Sequence, residues 1–80
     1  MRRVAIVEPV RSAVGAFGKT LRPLPAVDLA AKVLTALIDR TAIDPAVIEE
    51  VVFAQSYANS EAPCIGRWAA LEAGLPIEVP

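Results

Sequence analysis

Unbroken apolar runs and helix-period stripes take turns along this chain, and each change of pattern marks an element. Val4-Ala5-Ile6-Val7 is continuous apolar sequence, β-branched at three of four positions and bounded by Arg3 and Glu8. Such a run predicts a strand buried on both faces, as in a parallel sheet. From Pro9 to Pro25 no period holds. Gly15 and Gly18 permit unusual backbone angles there, and Pro23 and Pro25 forbid a helix through them. Loops of this length are often functional or packed against a neighbouring element.

A helix is predicted from about Ala26 to Thr41. Asp28, Lys32, Thr35 and Asp39 step by four, three and four and form one narrow polar stripe. Leucine, valine, isoleucine and alanine fill the rest, so most of this helix expects protein around it. Asp28 and Lys32 stand at the i,i+4 spacing of a weak ion pair. Asp44-Pro45 is a helix-start signal, a cap residue followed by proline, and predicts a short turn through Ile48. Val51-Val52-Phe53-Ala54 predicts a second strand ending at Gln55 and Ser56. A polar loop with Asn59, Ser60 and Glu61 leads to Pro63, which opens a second helix. That helix runs to about Ala73, stops at Gly74 in a left-handed conformation and is sealed by Pro76. Ile77 to Pro80 reads as the approach to a third strand. The order strand, helix, strand, helix, start of strand is of βαβ type, an α/β fold class with right-handed crossovers expected.

Composition makes this layout look incomplete. The chain has 80 residues, 55% of them hydrophobic and 21% charged, and its mean hydropathy is +0.50. Small domains bury a modest fraction of their surface and rarely carry so much apolar material on it. Two strands and a stub leave bare sheet edges, and the chain by itself is expected to associate or fold poorly. The net charge is −1 and its charges are scattered, so no basic stripe supports nucleic-acid binding. No apolar stretch is long enough to span a membrane. The apolar run after Arg2 and Arg3 ends too soon for a secretory signal. One cysteine argues against a disulfide scaffold and fits a reducing cytoplasm. Histidine is absent, so any step that needs imidazole must draw it from outside these residues.

Few residues remain for chemistry. Cys64 is expected in the first turn of the second helix, where unpaired amides favour a thiolate; with no histidine to activate it, a gap-filling role is the alternative. Gly15 and Gly18 precede Lys19 and Thr20, but the glycines lie too close together and no helix opens behind them, so a phosphate-binding loop is not formed. Gln55 and Ser56 close the second predicted strand, at the sheet edge where ligand crevices form. Gln55 suits a hydrogen bond to substrate there, or a tie between loop and strand. Arg67 is within range of Glu61 or Glu72, or of a partner subunit, and Trp68 is either a packing anchor or an interface residue. No metal-ligand cluster stands out.

Four stretches, in order, resemble the start of the thiolase family. Arg11-Ser12-Ala13-Val14-Gly15-Ala16-Phe17-Gly18 resembles the family's R-T-P-V-G-x-F-G after its first strand. Pro25-Ala26-Val27-Asp28-Leu29 is similar to the P-A-x-x-L that opens its first helix. Asp44-Pro45, then Ile48 to Gln55, resembles D-P-x-x-[VI]-[DE]-x-V-[IV]-x-G-Q. Arg67-Trp68-Ala69-Ala70-Leu71-Glu72-Ala73-Gly74-Leu75-Pro76 resembles R-Q-A-A-L-x-A-G-L-P. Departures are Ala13 for Pro, Lys19 and Ala54 for Gly, and Trp68 for Gln. The family's Q-N-P-A-R is here Pro63-Cys64-Ile65-Gly66-Arg67, which matches Cys64 to an asparagine and removes it as the nucleophile.

The resemblance implies that residues 1–80 are an incomplete N-terminal domain, the first part of a layered αβαβα thiolase fold. It implies ping-pong acyl transfer through a cysteine thioester, by thiolysis of 3-oxoacyl-CoA or condensation of acetyl-CoA. The nucleophile is expected in a C-G-S-G motif beyond Pro80, with a second cysteine and a histidine handling protons, and no catalytic residue falls within the chain. Coenzyme A is substrate and product and no cofactor is implied. The expected assembly is a homodimer or dimer of dimers in fatty acid metabolism in the cytoplasm, with neither nucleic acid nor membrane as partner. Gln55 and Arg67 are the residues expected near substrate or the subunit interface. A ketoacyl synthase, a sterol-carrier-type thiolase and a non-catalytic association module are the competing readings.

Overall fold

The computed structural model describes residues 2–16, 18, 19, 21, 23–56, 60 and 62–80. Two helices organise them. Helix α1 spans Ala26–Thr41, the bounds the pattern predicts. Pro25 stands at its N-cap without a side-chain cap, and the Pro25 carbonyl accepts from the amides of Asp28 and Leu29, both at 3.1 Å. Asp28 in the first turn and Arg40 in the last match the helix dipole. At the far end the Thr41 hydroxyl donates to the carbonyls of Leu37 and Ile38. Ala42 then takes a left-handed conformation with φ 53°, a backbone state that costs a residue with a Cβ.

The polar stripe of α1 is exposed as expected, at Asp28, Lys32, Thr35 and Asp39. Coverage of the other faces is thinner than the sequence suggests. Val27, Ala30 and Leu34 are buried, while Leu29, Val33, Leu37 and Ile38 are half-buried. The ion pair formed by this helix is not Asp28–Lys32 but Arg40–Glu8, at 3.1 Å. Flanking residues of the irregular stretch, among them Val10, Leu21 and Leu24, line a shallow groove along α1. Phe17, Thr20 and Arg22 lie outside the described residues.

After α1, Asp44 caps a single 3-10 turn at Pro45–Val47, its carboxylate accepting from the Ala46 amide at 3.0 Å. Helix α2 spans Ile65–Glu72, shorter at its start than expected, with Cys64 at the N-cap rather than in the first turn. Its end is a complete Schellman motif. Gly74, at φ 84°, donates to the Leu71 carbonyl, and the Leu75 amide reaches back to Ala70 at 3.0 Å. The same turn carries Leu75 into the core. Leu34, Ala70, Leu75 and Val79 form that cluster, with Ile38, Ile48, Val51 and Ala73 packed around it. Ala69 and Ala70 give α2 a buried face of small side chains against α1, and small contact residues let helix axes approach closely.

The three expected strands are not formed as ladders among the described residues. Val4 and Ile6 are each 94% exposed, and no backbone hydrogen bond joins their run to another described segment. The second run makes one ladder-like bond, from the Val51 amide to the Pro80 carbonyl at 3.1 Å. Ile77 and Glu78 form a turn, closed by the Val79 amide on the Pro76 carbonyl. The physical reason is that a strand takes every backbone hydrogen bond from its neighbours. These runs have no neighbours of adequate length. The Cα radius of gyration is 13.8 Å, above the roughly 12 Å of a compact domain of this size, and the N-terminal arm accounts for apolar surface left open.

Candidate functional site

Where the second apolar run passes the start of α2, the chain forms an open cleft of about 470 Å³. Val51, Phe53 and Gln55 line one side, Pro63, Cys64, Gly66 and Arg67 the other, and Pro80 closes one end. Two sequence features allow this approach. Proline at 63 keeps the chain out of helix before Cys64, and glycine at 66 leaves room for Phe53. A Cβ on Gly66 would sit 3.2 Å from the Phe53 Cβ, closer than a side chain normally tolerates. The signal for this contact was in the sequence, as a glycine where the family pattern has alanine, but it reads as a mere departure until Phe53 is seen against it.

Gln55 and Arg67, singled out separately from the sequence, therefore face the same cleft. Gln55 is half-buried and free to present its amide there. The Arg67 guanidinium is committed. Its Nη1 donates to the Val79 carbonyl and its Nη2 to the Ile77 carbonyl at 3.0 Å. Of the alternatives open to Arg67, the pairing with Glu72 is not made; Glu72 instead accepts from the Trp68 indole nitrogen at 3.3 Å. Glu61 and Asn59 lie outside the described residues. These two bonds tie Arg67 to the segment after α2 while it lines the cleft, and they use only part of the guanidinium's donor set.

Trp68 is 42% exposed, too open for the packing anchor that its size suggests. Cys64 is exposed, and its thiol makes no hydrogen bond to a described residue. Its carbonyl accepts from the Trp68 amide, closing the first helical turn. Among the described residues no base is paired with the thiol, so the nucleophile arrangement is not assembled by them. Among the described residues no cluster of three or more histidine, cysteine, aspartate or glutamate side chains is placed to hold a metal ion, and no helix is long and apolar enough to cross a membrane.

A second groove, of about 490 Å³, runs between Val7, the Val33–Leu37 flank of α1 and the Ile48–Phe53 segment. Its walls are mostly aliphatic, with Glu8, Thr41 and Glu50 as the polar groups. The arrangement as a whole can orient a group by hydrogen bonding at Gln55 and offer apolar surface, but it has no acid–base pair of its own.

Comparison with known proteins gives one consistent result. The family model described as "Thiolase, N-terminal domain" matches residues 4–80. An "Acetyl-CoA acetyltransferase" of Pseudomonas aeruginosa is 38% identical over 80 residues, 100% of this chain and 20% of that protein. One of the same name from Cupriavidus necator is 39% identical over 80 residues, again covering 20% of its length. A "3-ketoacyl-CoA thiolase" of Vibrio cholerae is 43% identical over 75 residues, 94% of this chain and 17% of that protein. The chain thus spans no more than a fifth of the curated relatives it matches.

Proposed function

This chain belongs to the thiolase family, and from that premise we propose that the complete protein is an acyltransferase working on coenzyme A thioesters. The observation that carries the reading is the match to the family's N-terminal domain over residues 4–80, and the relatives' names supply the substrate class. The family implies an α/β fold, and we propose that the runs at Val4–Val7 and Val51–Ala54 become its strands when the remaining layers pair with them.

In the proposed reaction a cysteine thiolate beyond Pro80 attacks an acyl-CoA carbonyl. In thiolysis that carbonyl is C3 of a 3-oxoacyl-CoA: the C2–C3 bond breaks, acetyl-CoA leaves as a carbanion that takes a proton, and the shortened acyl group stays on the enzyme as a thioester. A coenzyme A thiol, losing its proton, then accepts that acyl group and frees the cysteine thiolate. In condensation the thiolate instead displaces coenzyme A from one acetyl-CoA, and the carbanion of a second acetyl-CoA attacks the acetyl-enzyme and forms the C–C bond. Covalent catalysis of this type splits one difficult transfer into two easier ones, and donors aimed at the thioester oxygen stabilise each transition state. No cofactor is consumed. A homodimer or dimer of dimers in the cytoplasm, with Gln55 near substrate, completes the proposal.

An acyl-CoA thiolysis assay on the complete protein, run over a chain-length series, tests it. Coenzyme A-dependent cleavage of a 3-oxoacyl-CoA is expected, together with a C-G-S-G motif within about one strand length of Pro80. Absence of cleavage and of acetyl-CoA condensation, across the series, sinks the reading. The 80-residue chain alone is expected to be inactive.

A further inference from the structure

Arg67 makes a contact that its residue type did not announce. Among the described residues it is the only cationic side chain whose donors go to backbone carbonyls, and both carbonyls belong to the segment that leaves α2. That segment has few other ties. Pro76 and Pro80 supply no amide donor. The Val79 amide is spent locally on Pro76, and the one bond to another segment is from Val51 to the Pro80 carbonyl. Ile77 is 72% exposed, and Val79 is the side chain that enters the core. The turn at Ile77 and Glu78 brings the Ile77 and Val79 carbonyls together, and a planar guanidinium can hold two acceptors in one fixed geometry.

We propose that Arg67 is a positioning residue: its double bond to Ile77 and Val79 sets the direction in which the chain departs at Pro80, and so places the residues that follow against the cleft of Gln55. The catalytic part of this inference rests on the acyl-transfer reading above. The clamp itself rests only on the two hydrogen bonds and the sparse anchoring of residues 76–80.

The clamp predicts an asymmetric effect of substitution in the complete protein. Arg67→Met removes both donors but keeps the aliphatic stem; kcat should fall about 10- to 100-fold, the range expected when reacting groups are misplaced from a distance. KM for the acyl-CoA should stay within about twofold, because no ligand contact is lost. Arg67→Lys carries one point charge in place of the fork and should recover part of kcat. Amide exchange at Val79 and Val51, whose hydrogen bonds to the Pro76 and Pro80 carbonyls hold this segment, should accelerate by about tenfold or more in Arg67→Met, since the segment opens locally.

Unchanged exchange at those two amides overturns the clamp. Accelerated exchange with unchanged kcat in an active protein overturns the positioning role. If Arg67→Met does not fold, Arg67→Lys carries both measurements, and exchange or kcat at the wild-type level overturns the same two claims. A wild-type protein without acyl-transfer activity sinks the functional reading and the catalytic half with it, while exchange still decides the clamp.

Discussion

The arm before α1 and the body formed by α1, α2 and the segment after them draw on similar apolar sequence and treat it in opposite ways. In the body, Leu34, Ala70, Leu75 and Val79 are all below 10% exposure and share one cluster. In the arm, Val4, Ile6 and Val14 are each 94% exposed. The difference lies in where the partner of each residue comes from. Leu75 reaches Ala70 because a Schellman turn, closed by the Leu75 amide on the Ala70 carbonyl, carries it there, and Val79 follows on a second short turn. Val4 and Ile6 need neighbouring strands, which no local turn can supply. Apolar character drives burial, but chain geometry within a few residues decides whether burial is available without further layers.

The largest test of this contrast pairs two truncations. In denaturant unfolding of the complete protein, Leu34→Ala should cost about 2–3 kcal/mol, the low end for a leucine because part of its shell is only half-buried. The strand proposed at Val4–Val7 predicts a larger Val4→Ala cost there than the at most about 0.5 kcal/mol that its exposure in this segment would give. A Val4→Ala cost above roughly 1 kcal/mol would break the contrast in an informative way. It would mean that the added layers of a complete thiolase cover the arm, and that its openness belongs to this segment alone.

A smaller effect tests the turns that close the body. Gly74 has φ 84° with open space where a Cβ would stand, so Gly74→Ala carries a backbone penalty without a clash. A loss of about 1 kcal/mol is expected in thermal or denaturant unfolding. Ala42 has the same handedness at the end of α1, with φ 53°, and Ala42→Gly should gain about 0.5 kcal/mol, the relief of strain less the entropy of a glycine. Equal and null effects at both positions would show that helix ends do not hold the body together.

The same contrast explains how much was legible in the sequence. The bounds of α1, the Asp44 cap and the Gly74 terminator were readable because each rests on residues within one or two turns. The family could be read from ordered motifs for the same reason, since they mark these local features. The strands were read from their apolar runs, yet a run states only that partners are wanted. The charge of Arg67 suggests Glu61, Glu72 or a partner subunit, whereas its partners among the described residues are the carbonyls of Ile77 and Val79, and a backbone carbonyl has no letter in the sequence. The size of Trp68 suits either a packing anchor or an interface residue, and its indole bonds Glu72 at the surface. The cleft itself joins Gln55 to Arg67 across a loop whose residues 57–59 and 61 are outside the described set, and nothing in their spacing states that approach.

Among the described residues one side-chain ion pair crosses between the two regions, and it gives the smallest and most discriminating test. Glu8, at the end of the arm's apolar run, pairs with Arg40 in the last turn of α1 at 3.1 Å; the side chains are 33% and 62% exposed. A pair this open gains little from Coulomb attraction and must order two long side chains, so a coupling of about 0.2–0.5 kcal/mol is expected. The measurement is a double-mutant cycle with Glu8→Gln and Arg40→Gln, read at low salt and again near 1 M, where the screening length is about 3 Å. Coupling that is small and vanishes with salt fits an arm tethered at one exposed point. A coupling above about 1 kcal/mol that survives salt requires a desolvated pair. The arm would then be packed against α1, and the Val4→Ala result would have to move with it.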